Sequence, residues 1–377
     1  MNTISDVLEG RAEWCVVEGD ATDFLRSLPD ESVNCVVTSP PYWGLRDYGV
    51  EGQIGMERTP EEYVARLVAV FSEARRVLRE DGVAWINLGD GYYSGNRAGC
   101  RKDAHRLERS QLQASNRGNA TSVMPNRLPQ AGLKDKDLVG MPWRVAFALQ
   151  ADGWWLRSEV TWCKAAPMPE SVRDRPTSAT EKVFLLTKSK RYAYDADAVK
   201  TPARDYNHAR DVVGDVASHA PDTRPHRGLR AAGLVRSDKQ RGHGRRHAGF
   251  NDRWDAMPKA EQQALGANMR NYLLLGPEPC AEAHFAVMPQ ALVEPCVKAG
   301  CPAGGVACDP FAGSGTVGIV ARRLARRFVG CDMNPEYMEM ARRRIGDVAP
   351  LLDAEDSGTN LRDARAGQQP LFAEEAR

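Results

Sequence analysis

The sequence of 377 residues has little of what marks several large classes of protein. No apolar run reaches the roughly 18 residues of a membrane-spanning helix, so no contact with a membrane is expected. The first residues lack the basic start and apolar centre of a signal peptide, which predicts a cytoplasmic protein. The nine cysteines form no C-x-x-C pair. We therefore expect reduced thiols and no metal site, rather than a disulfide framework.

Positive and negative charges nearly balance over the whole sequence, with a net charge of +1, but each sign is in excess locally. Residues 97–136 hold nine Lys or Arg against three acids, and residues 200–253 hold twelve against six. After Gly346 the balance reverses to seven acids against three arginines, with few apolar residues, which predicts a disordered tail. The two basic segments fit contacts with nucleic-acid phosphates, and solvated loops are the alternative.

Outside the basic segments, short apolar runs alternate with amphipathic segments. This alternation predicts parallel α/β architecture. The expected strands are residues 14–17, 33–38, 83–88, 156–162, 183–187, 305–308 and 328–331. The expected helices are residues 21–27, a helix from Pro60 to a stop at Asp81-Gly82, and residues 138–150, 289–299, 316–324 and 334–345. Thr59 before Pro60 and two glutamates is a strong helix start.

A glycine-rich string between a predicted strand and a predicted helix is the first candidate site. It reads D-P-F-A-G-S-G-T from Asp309 to Thr316, and Asp332 ends the next strand. Glycines there permit a tight turn and close approach of a ligand, while Asp332 is placed to accept the hydroxyls of a ribose. Spacing alone leaves NAD open, because Gly313, Gly315 and Gly318 complete G-x-G-x-x-G. Asp309 repels a diphosphate and suits an ammonium group, which favours S-adenosyl-L-methionine.

A second string, T-S-P-P-Y from Thr38 to Tyr42, directly follows the predicted buried strand at residues 33–38. Two prolines stop the sheet and hold a stiff, extended backbone. The Ser39 hydroxyl, the Pro40 carbonyl and the Tyr42 ring are suited to a planar base with an exocyclic amine. The acceptors take the amine protons, and the tyrosine is expected to stack on the ring.

At these two strings the sequence resembles the DNA amino-methyltransferases, which alkylate the exocyclic nitrogen of cytosine or adenine. T-S-P-P-Y looks like their catalytic motif and D-P-F-A-G-S-G-T like their S-adenosylmethionine motif. Their order here is the permuted one of the β group. The resemblance implies a Rossmann-like fold with a seven-stranded, mostly parallel sheet. Because parallel strands share a carboxyl edge, the strands before Ser39 and Asp309 are expected to be neighbours.

The resemblance also assigns residues and regions. It implies a catalytic half at 1–195 with a basic loop at 97–136, a target-recognition region at 196–275, a cofactor half at 276–346 and the acidic tail at 347–377. The catalytic residues implied are Ser39, Pro40, Pro41 and Tyr42. The cofactor-binding residues implied are Asp20, His284, Phe285, Asp309, Phe311, Gly313, Ser314, Gly315, Thr316 and Asp332. The DNA-binding residues expected are Lys164, Arg241, Arg245 and Arg246.

The expected reaction is direct transfer of a methyl group to the amine of a base flipped out of double-stranded DNA. Members of the resembling family that have Ser at the position corresponding to Ser39 are mostly cytosine-N4 enzymes. Cytosine is therefore the preferred target base, and adenine-N6 methylation is the alternative. An inactive DNA-binding regulatory module and methylation of RNA or of a protein glutamine are further alternatives. A cognate restriction endonuclease is an expected partner without stable contact.

The acidic tail carries one apolar spot, Q-Q-P-L-F at residues 368–372. Gln368, Leu371 and Phe372 resemble the short peptide with which bacterial replication proteins dock on the sliding clamp. A flexible tail with one such anchor would raise the local concentration of an enzyme at newly replicated DNA.

Overall fold

The architecture was analysed in a computed structural model, which describes residues 2–45, 47, 50–94, 130–201, 257–258, 266–276 and 288–348. The described helices are α1 (Ile4–Leu8), α2 (Ala21–Ser27), α3 (Pro60–Val77), α4 (Met141–Ala151), α5 (Gln290–Gly300), α6 (Thr316–Arg323) and α7 (Pro335–Gly346). The described strands are β1 (Trp14–Glu18), β2 (Val33–Thr38), β3 (Leu78–Leu88), β4 (Trp155–Lys164), β5 (Thr180–Thr187), β6 (Tyr272–Leu275), β7 (Val306–Asp309) and β8 (Arg327–Asp332).

The strands form one mixed sheet in the order β1-β8-β7-β2-β3-β5-β4-β6. Only β5 among them runs antiparallel to its neighbours β3 and β4, and the other pairings are parallel. The expected strand count was wrong: the described sheet has eight strands rather than seven, because Tyr272–Leu275 pairs in parallel with the outer side of β4. The expected α/β class with a mostly parallel sheet is confirmed.

Helices cover both faces of the central strands. Ala84, Ile86 and Leu88 belong to a core cluster that includes buried residues of α2, α3 and α4. Since side chains alternate along a strand, Val83 and Trp85 lie on the other face, where a side chain at Gly300 of α5 would collide with Val83. Helix α6 packs against α5 and α7. Burial on both faces explains why the central strands are almost continuously apolar.

Capping residues set where several helices begin. Thr59 is the N-cap of α3 and Pro60 lies in its first turn, as the sequence predicted, and Thr59 and Glu62 also form a reciprocal capping box. The end of this helix differs from the expectation, because α3 stops at Val77 and Leu78 already belongs to β3. Leu78 pairs with Val33, so the last apolar residue of the helical stripe is buried as part of the sheet instead.

The chain divides into two compact units, Met1–Ala198 with Arg270–Arg377 and Val199–Met269. The sheet and the described helices belong to the first unit. Of the second unit the structure describes residues 199–201, 257–258 and 266–269, among which Thr201 and Ala267 form an isolated antiparallel bridge. In the described parts of the chain, no helix is both long and apolar enough to cross a membrane.

Candidate active site

The candidate site is built at the carboxyl edge of the sheet, where β1, β8, β7, β2 and β3 end side by side. Strand β2 pairs in parallel with β7, so the strands that precede Ser39 and Asp309 are neighbours, as predicted. The Thr38 hydroxyl donates to the Asp309 carboxylate over 2.6 Å and joins the two motifs directly. Residues 271 positions apart in the sequence thus meet at one sheet edge.

Asp309 is almost completely buried, with 3% of its surface exposed. Burial raises its pKa to about 7, although hydrogen bonds from Thr38 and from the backbone N–H of Phe311 oppose the shift. The charge of Asp332 adds a smaller increase in that pKa. A buried carboxyl group that is costly to ionise is a ready partner for a cationic ligand group.

Asp332 ends β8 and organises the turns around it. Its carboxylate accepts from the backbone N–H of Gly313 over 3.0 Å and of Asn334 over 2.9 Å. Burial raises the pKa of Asp332, whereas these backbone donors lower it. Strand β1 places Glu18 opposite Asp332 in register, so that Asp20 follows at the same edge and caps α2 through the N–H groups of Thr22 and Asp23. The structure therefore brings the predicted acids at positions 20, 309 and 332 to one edge.

The two glycines of the turn have different surroundings. Gly313 has a φ of +51°, and a Cβ there would meet only the Phe311 carbonyl, at 3.9 Å. Gly315 has a φ of +81°, and a Cβ there would lie 3.0 Å from Ala341 of α7. Gly313 thus leaves room for a ligand, whereas Gly315 lets α6 and α7 approach closely.

The cofactor expected from the sequence fits these residues. Thr316 is 5% exposed, and its hydroxyl has no hydrogen-bond partner within the described part of the chain, so one polar atom in the motif is left for a ligand. Three acids at one edge repel a diphosphate and attract a sulfonium or an ammonium group. The arrangement favours S-adenosyl-L-methionine over a dinucleotide. Phe311 and Ser314 lie in the same turn, and the Ser314 carbonyl accepts from Arg344 over 2.6 Å.

The second motif lies beside the first, and its tyrosine is held by its hydroxyl group. The Tyr42 hydroxyl donates to Glu181 of β5 over 2.6 Å and accepts from the Asn87 side-chain amide over 2.9 Å. The Ser39 hydroxyl lies 3.3 Å from the same phenol oxygen. Burial, followed by the charge of Glu181 and the hydrogen bond to it, raises the pKa of Tyr42 well above its usual value. The phenol is therefore a neutral hydrogen-bonding group.

The backbone around this motif is closely packed. The Pro41 carbonyl accepts from the Tyr63 hydroxyl over 2.8 Å, so this carbonyl already has a protein partner. Pro40 is buried. A side chain at Gly89 would lie 2.5 Å from the Tyr42 ring, so this glycine allows the backbone after β3 to pass against the tyrosine. The backbone at Gly89 thus packs against one side of the Tyr42 ring and restricts its movement.

Sequence reasoning missed Glu181, Asn87 and Gly89, and it gave no role to Thr38 within the T-S-P-P-Y string. Asn87 carried a usable signal, because it is a polar residue in the otherwise apolar end of β3 and is 3% exposed. Lys164, expected to contact DNA, pairs with Glu181 over 2.5 Å and lies over the Trp162 ring. The predicted residues His284, Phe285, Arg241, Arg245, Arg246, Gln368, Leu371 and Phe372 lie outside the described residues. No cluster able to hold a metal ion occurs among the residues with described structure.

The α/β fold and the match to a family model together identify a methyltransferase whose cofactor is S-adenosyl-L-methionine. The family model of the N6 and N4 methyltransferases, described as DNA methylase, matches residues 33–343, and the chain belongs to this family. Within the matched residues, the string T-S-P-P-Y at 38–42 precedes the string D-P-F-A-G-S-G-T at 309–316.

Two relatives and one solved structure are similar over most of their length. The type II methyltransferase M.Cfr9I of Citrobacter freundii is 42% identical over 87% of this chain and 86% of its own. The type II methyltransferase M.SmaI of Serratia marcescens is 39% identical over 90% of this chain and 94% of its own. The structure of the PvuII DNA methyltransferase, described as cytosine-N4-specific, aligns with a TM-score of 0.52 at 18% identity over 93% of this chain and 91% of its own. This last likeness concerns the fold.

Proposed function

We propose that this DNA methyltransferase transfers a methyl group to the N4 amine of cytosine at a specific site in double-stranded DNA. The observation that carries the proposal is the Thr38–Asp309 hydrogen bond, which sets the Ser39 turn directly beside the cofactor motif. Ser39 supports cytosine, because the resembling enzymes with Ser at this position are mostly cytosine-N4 enzymes. Adenine-N6 methylation is the alternative, since both bases carry an exocyclic amine next to a ring nitrogen.

On the cofactor side, the proposed roles follow from charge and position. Asp309 holds the ammonium group of the methionine moiety, and Asp332 holds the ribose hydroxyls through carboxylate lone pairs that its backbone donors leave open. Asp20, which follows β1, is proposed to contact the adenine. When bound, the cofactor supplies an electrophilic methyl group. Gly313 leaves the space in which a ligand can lie against the backbone.

On the target side, the chain positions an amine that is a weak nucleophile because its lone pair is delocalised into the ring. We assign Ser39 and the Pro40 carbonyl as acceptors of the two amine protons, which directs the nitrogen lone pair towards the methyl group. Such orientation contributes at most about 7 to 11 kcal/mol to lowering a barrier. The base is flipped out of the duplex, at a cost of a few kcal/mol.

The partners proposed for the chain are DNA and proteins that act with it. The basic segments at 97–136 and 200–253, including Arg241, Arg245 and Arg246, are proposed to contact the duplex. The names of the type II relatives support a companion restriction endonuclease that recognises the same site. Docking of residues 368–372 on a sliding clamp stays a prediction. A DNA substrate supports a cytoplasmic location.

Analysis of the methylated base tests the choice of cytosine. Unmodified duplex DNA is incubated with the enzyme and S-adenosyl-L-methionine, digested to nucleosides and separated by chromatography with mass detection. We expect N4-methylcytosine, and the control is the same DNA incubated without the cofactor. Appearance of N6-methyladenine without N4-methylcytosine would contradict the proposal.

A further inference from the structure

We propose that Glu181 is a positioning residue of the methyl-transfer site, which acts through Tyr42 to fix the direction of the Ser39 hydroxyl. The inference rests on the proposed function of Ser39 as an acceptor of an amine proton. Glu181 lies on β5, 139 residues after Tyr42, and neither sequence motif includes it.

The Glu181 carboxylate is surrounded by donors. One oxygen accepts from the Tyr42 hydroxyl over 2.6 Å and from the Asn87 amide over 2.8 Å. The other lies 2.5 Å from the Lys164 ammonium. The side chain is 12% exposed, so these bonds form in a largely dry setting where charge-assisted hydrogen bonds are strong.

Counting protons gives the direction of each bond. A carboxylate only accepts, so the single proton of the Tyr42 hydroxyl is directed to Glu181. The phenol oxygen then has only lone pairs to offer the Ser39 hydroxyl 3.3 Å away, and Ser39 must be the donor in that contact. The remaining lone pairs of Ser39 are left as acceptors. An amine proton of the target base therefore meets an acceptor.

Asn87 belongs to the same network, and its two acceptors fix the orientation of its side-chain amide. Its amide group faces both the Glu181 carboxylate and the Tyr42 oxygen, and only the NH2 end can donate to both. The Tyr42 oxygen thus takes part in three hydrogen bonds, one donated and two accepted. With the close packing at Gly89, this leaves the phenol no second arrangement that keeps all its bonds.

A double-mutant cycle tests the inference. Glu181→Ala removes the acceptor, and we expect kcat for DNA methylation to fall by about tenfold, as for loss of a buried hydrogen-bonded network. The Kd for S-adenosyl-L-methionine should change little, whereas the Tm should fall because three donors lose their acceptor. In a Tyr42→Phe background, which lacks the phenol oxygen, Glu181→Ala should lower kcat by less than about twofold, because residues that act as a unit are not additive.

Two further variants separate positioning from structural damage. Glu181→Gln keeps the side-chain volume and a carbonyl acceptor, so its kcat should lie between those of the wild type and Glu181→Ala. If Glu181→Ala does not fold, Glu181→Gln takes its place in the double-mutant cycle. The matched control is Glu159→Ala, which removes an ion pair with Lys182 of 2.7 Å on the same two strands. We expect kcat within about twofold of the wild type there.

The outcomes distinguish this inference from the proposed function. Equal fold-losses for Glu181→Ala in the wild-type and Tyr42→Phe backgrounds, or an unchanged kcat in an active protein, would overturn the positioning role alone. Failure of the wild type to methylate any DNA amine would overturn the proposed function and this inference with it. Methylation of adenine rather than cytosine leaves the cycle measurable on that substrate.

Discussion

Asp309 shows how a single residue can be prepared for a charged ligand. Its carboxyl group is 3% exposed, and burial raises its pKa to about 7. The free protein near neutral pH therefore holds a mixture of the ionised and the neutral acid. A bound ammonium group favours the ionised form, so binding and ionisation are linked.

The first prediction is a pH-dependent affinity for the cofactor. With Asp309 holding the ammonium group as proposed, only its ionised form attracts that group, so the affinity should fall as pH decreases through about 7. For a pKa of about 7, the Kd at about pH 6 should be roughly tenfold weaker than at about pH 8. Isothermal titration calorimetry of the full chain at both values checks this. Asp309→Asn should bind weakly at both, and an equally steep pH profile in that variant would assign the effect to another group.

The second prediction concerns stability at the same residue. The pKa of an aspartate in an unfolded chain is about 3.9, whereas that of Asp309 in the folded protein is about 7. Between about pH 4 and about pH 7 the folded protein therefore binds more protons through Asp309 than the unfolded chain does. Its contribution to stability is thus lost as pH rises through that window. Asp309→Asn keeps an acceptor for Thr38 and should raise the Tm of the ligand-free protein at about pH 8, with no gain near pH 4. Scanning calorimetry measures both, and a lower Tm at pH 8 would contradict the argument.

At the scale of elements, the packing of helix α6 explains why the spacing of the glycines could not distinguish NAD from S-adenosyl-L-methionine as the cofactor. Gly318, the third glycine of the G-x-G-x-x-G pattern, is a packing residue. A Cβ there would lie 2.5 Å from Ile345 of α7 and 2.7 Å from Phe328 of β8. Close contact of a helix with a strand is needed in either cofactor class, so this part of the pattern does not discriminate between them.

The third prediction follows from that contact. Gly318→Ala should gain up to about 1 kcal/mol of helix propensity but lose about 1 to 3 kcal/mol to overpacking, so the free energy of unfolding should fall. Cofactor affinity at a temperature where the protein is folded should change by less than about twofold, since the ligand is proposed to lie against Gly313 rather than Gly318. Chemical denaturation and calorimetry measure the two quantities. Gly91→Ala is the control, because a Cβ there has no neighbour within 4 Å.

Several elements that the sequence predicted have a long apolar pattern or a strong cap, whereas α1 was missed although Thr3 and Asp6 form a capping box at its start. Thr59 and Pro60 fixed the start of α3, and the apolar run of β2 was buried as expected. Strand β6 was missed because its four residues alternate between half-buried and exposed, and their pairing partner β4 lies more than a hundred residues away. The early end of α3 was missed because Leu78 continues the helical stripe while its backbone already pairs with β2.

For the whole molecule, part of the candidate site could be predicted from the sequence and part could not. The strings around Ser39 and Asp309 could be recognised because each is a local sequence pattern at the end of a strand. The carboxyl ends of parallel strands lie at one edge of a sheet, so the sequence also predicted that the two strings meet. The Glu181 network was not readable, because its partners come from three different strands or turns and no local pattern joins them. Tyr42 was expected to present its ring, and its hydroxyl proves to be equally engaged.

The last prediction concerns how the whole chain meets DNA. Replacing Arg241, Arg245 and Arg246 with glutamine should weaken DNA binding and flatten its salt dependence, because each lost phosphate contact lowers the slope of log K against log salt by about 0.9. Fluorescence anisotropy with a labelled duplex over a series of salt concentrations measures the slope. A triple variant of Arg11, Arg26 and Arg79, whose side chains are 56%, 62% and 56% exposed, removes the same charge elsewhere and is the control. Since a general loss of charge would affect both variants alike, equal slopes in the two would show that residues 241–246 do not contact phosphates.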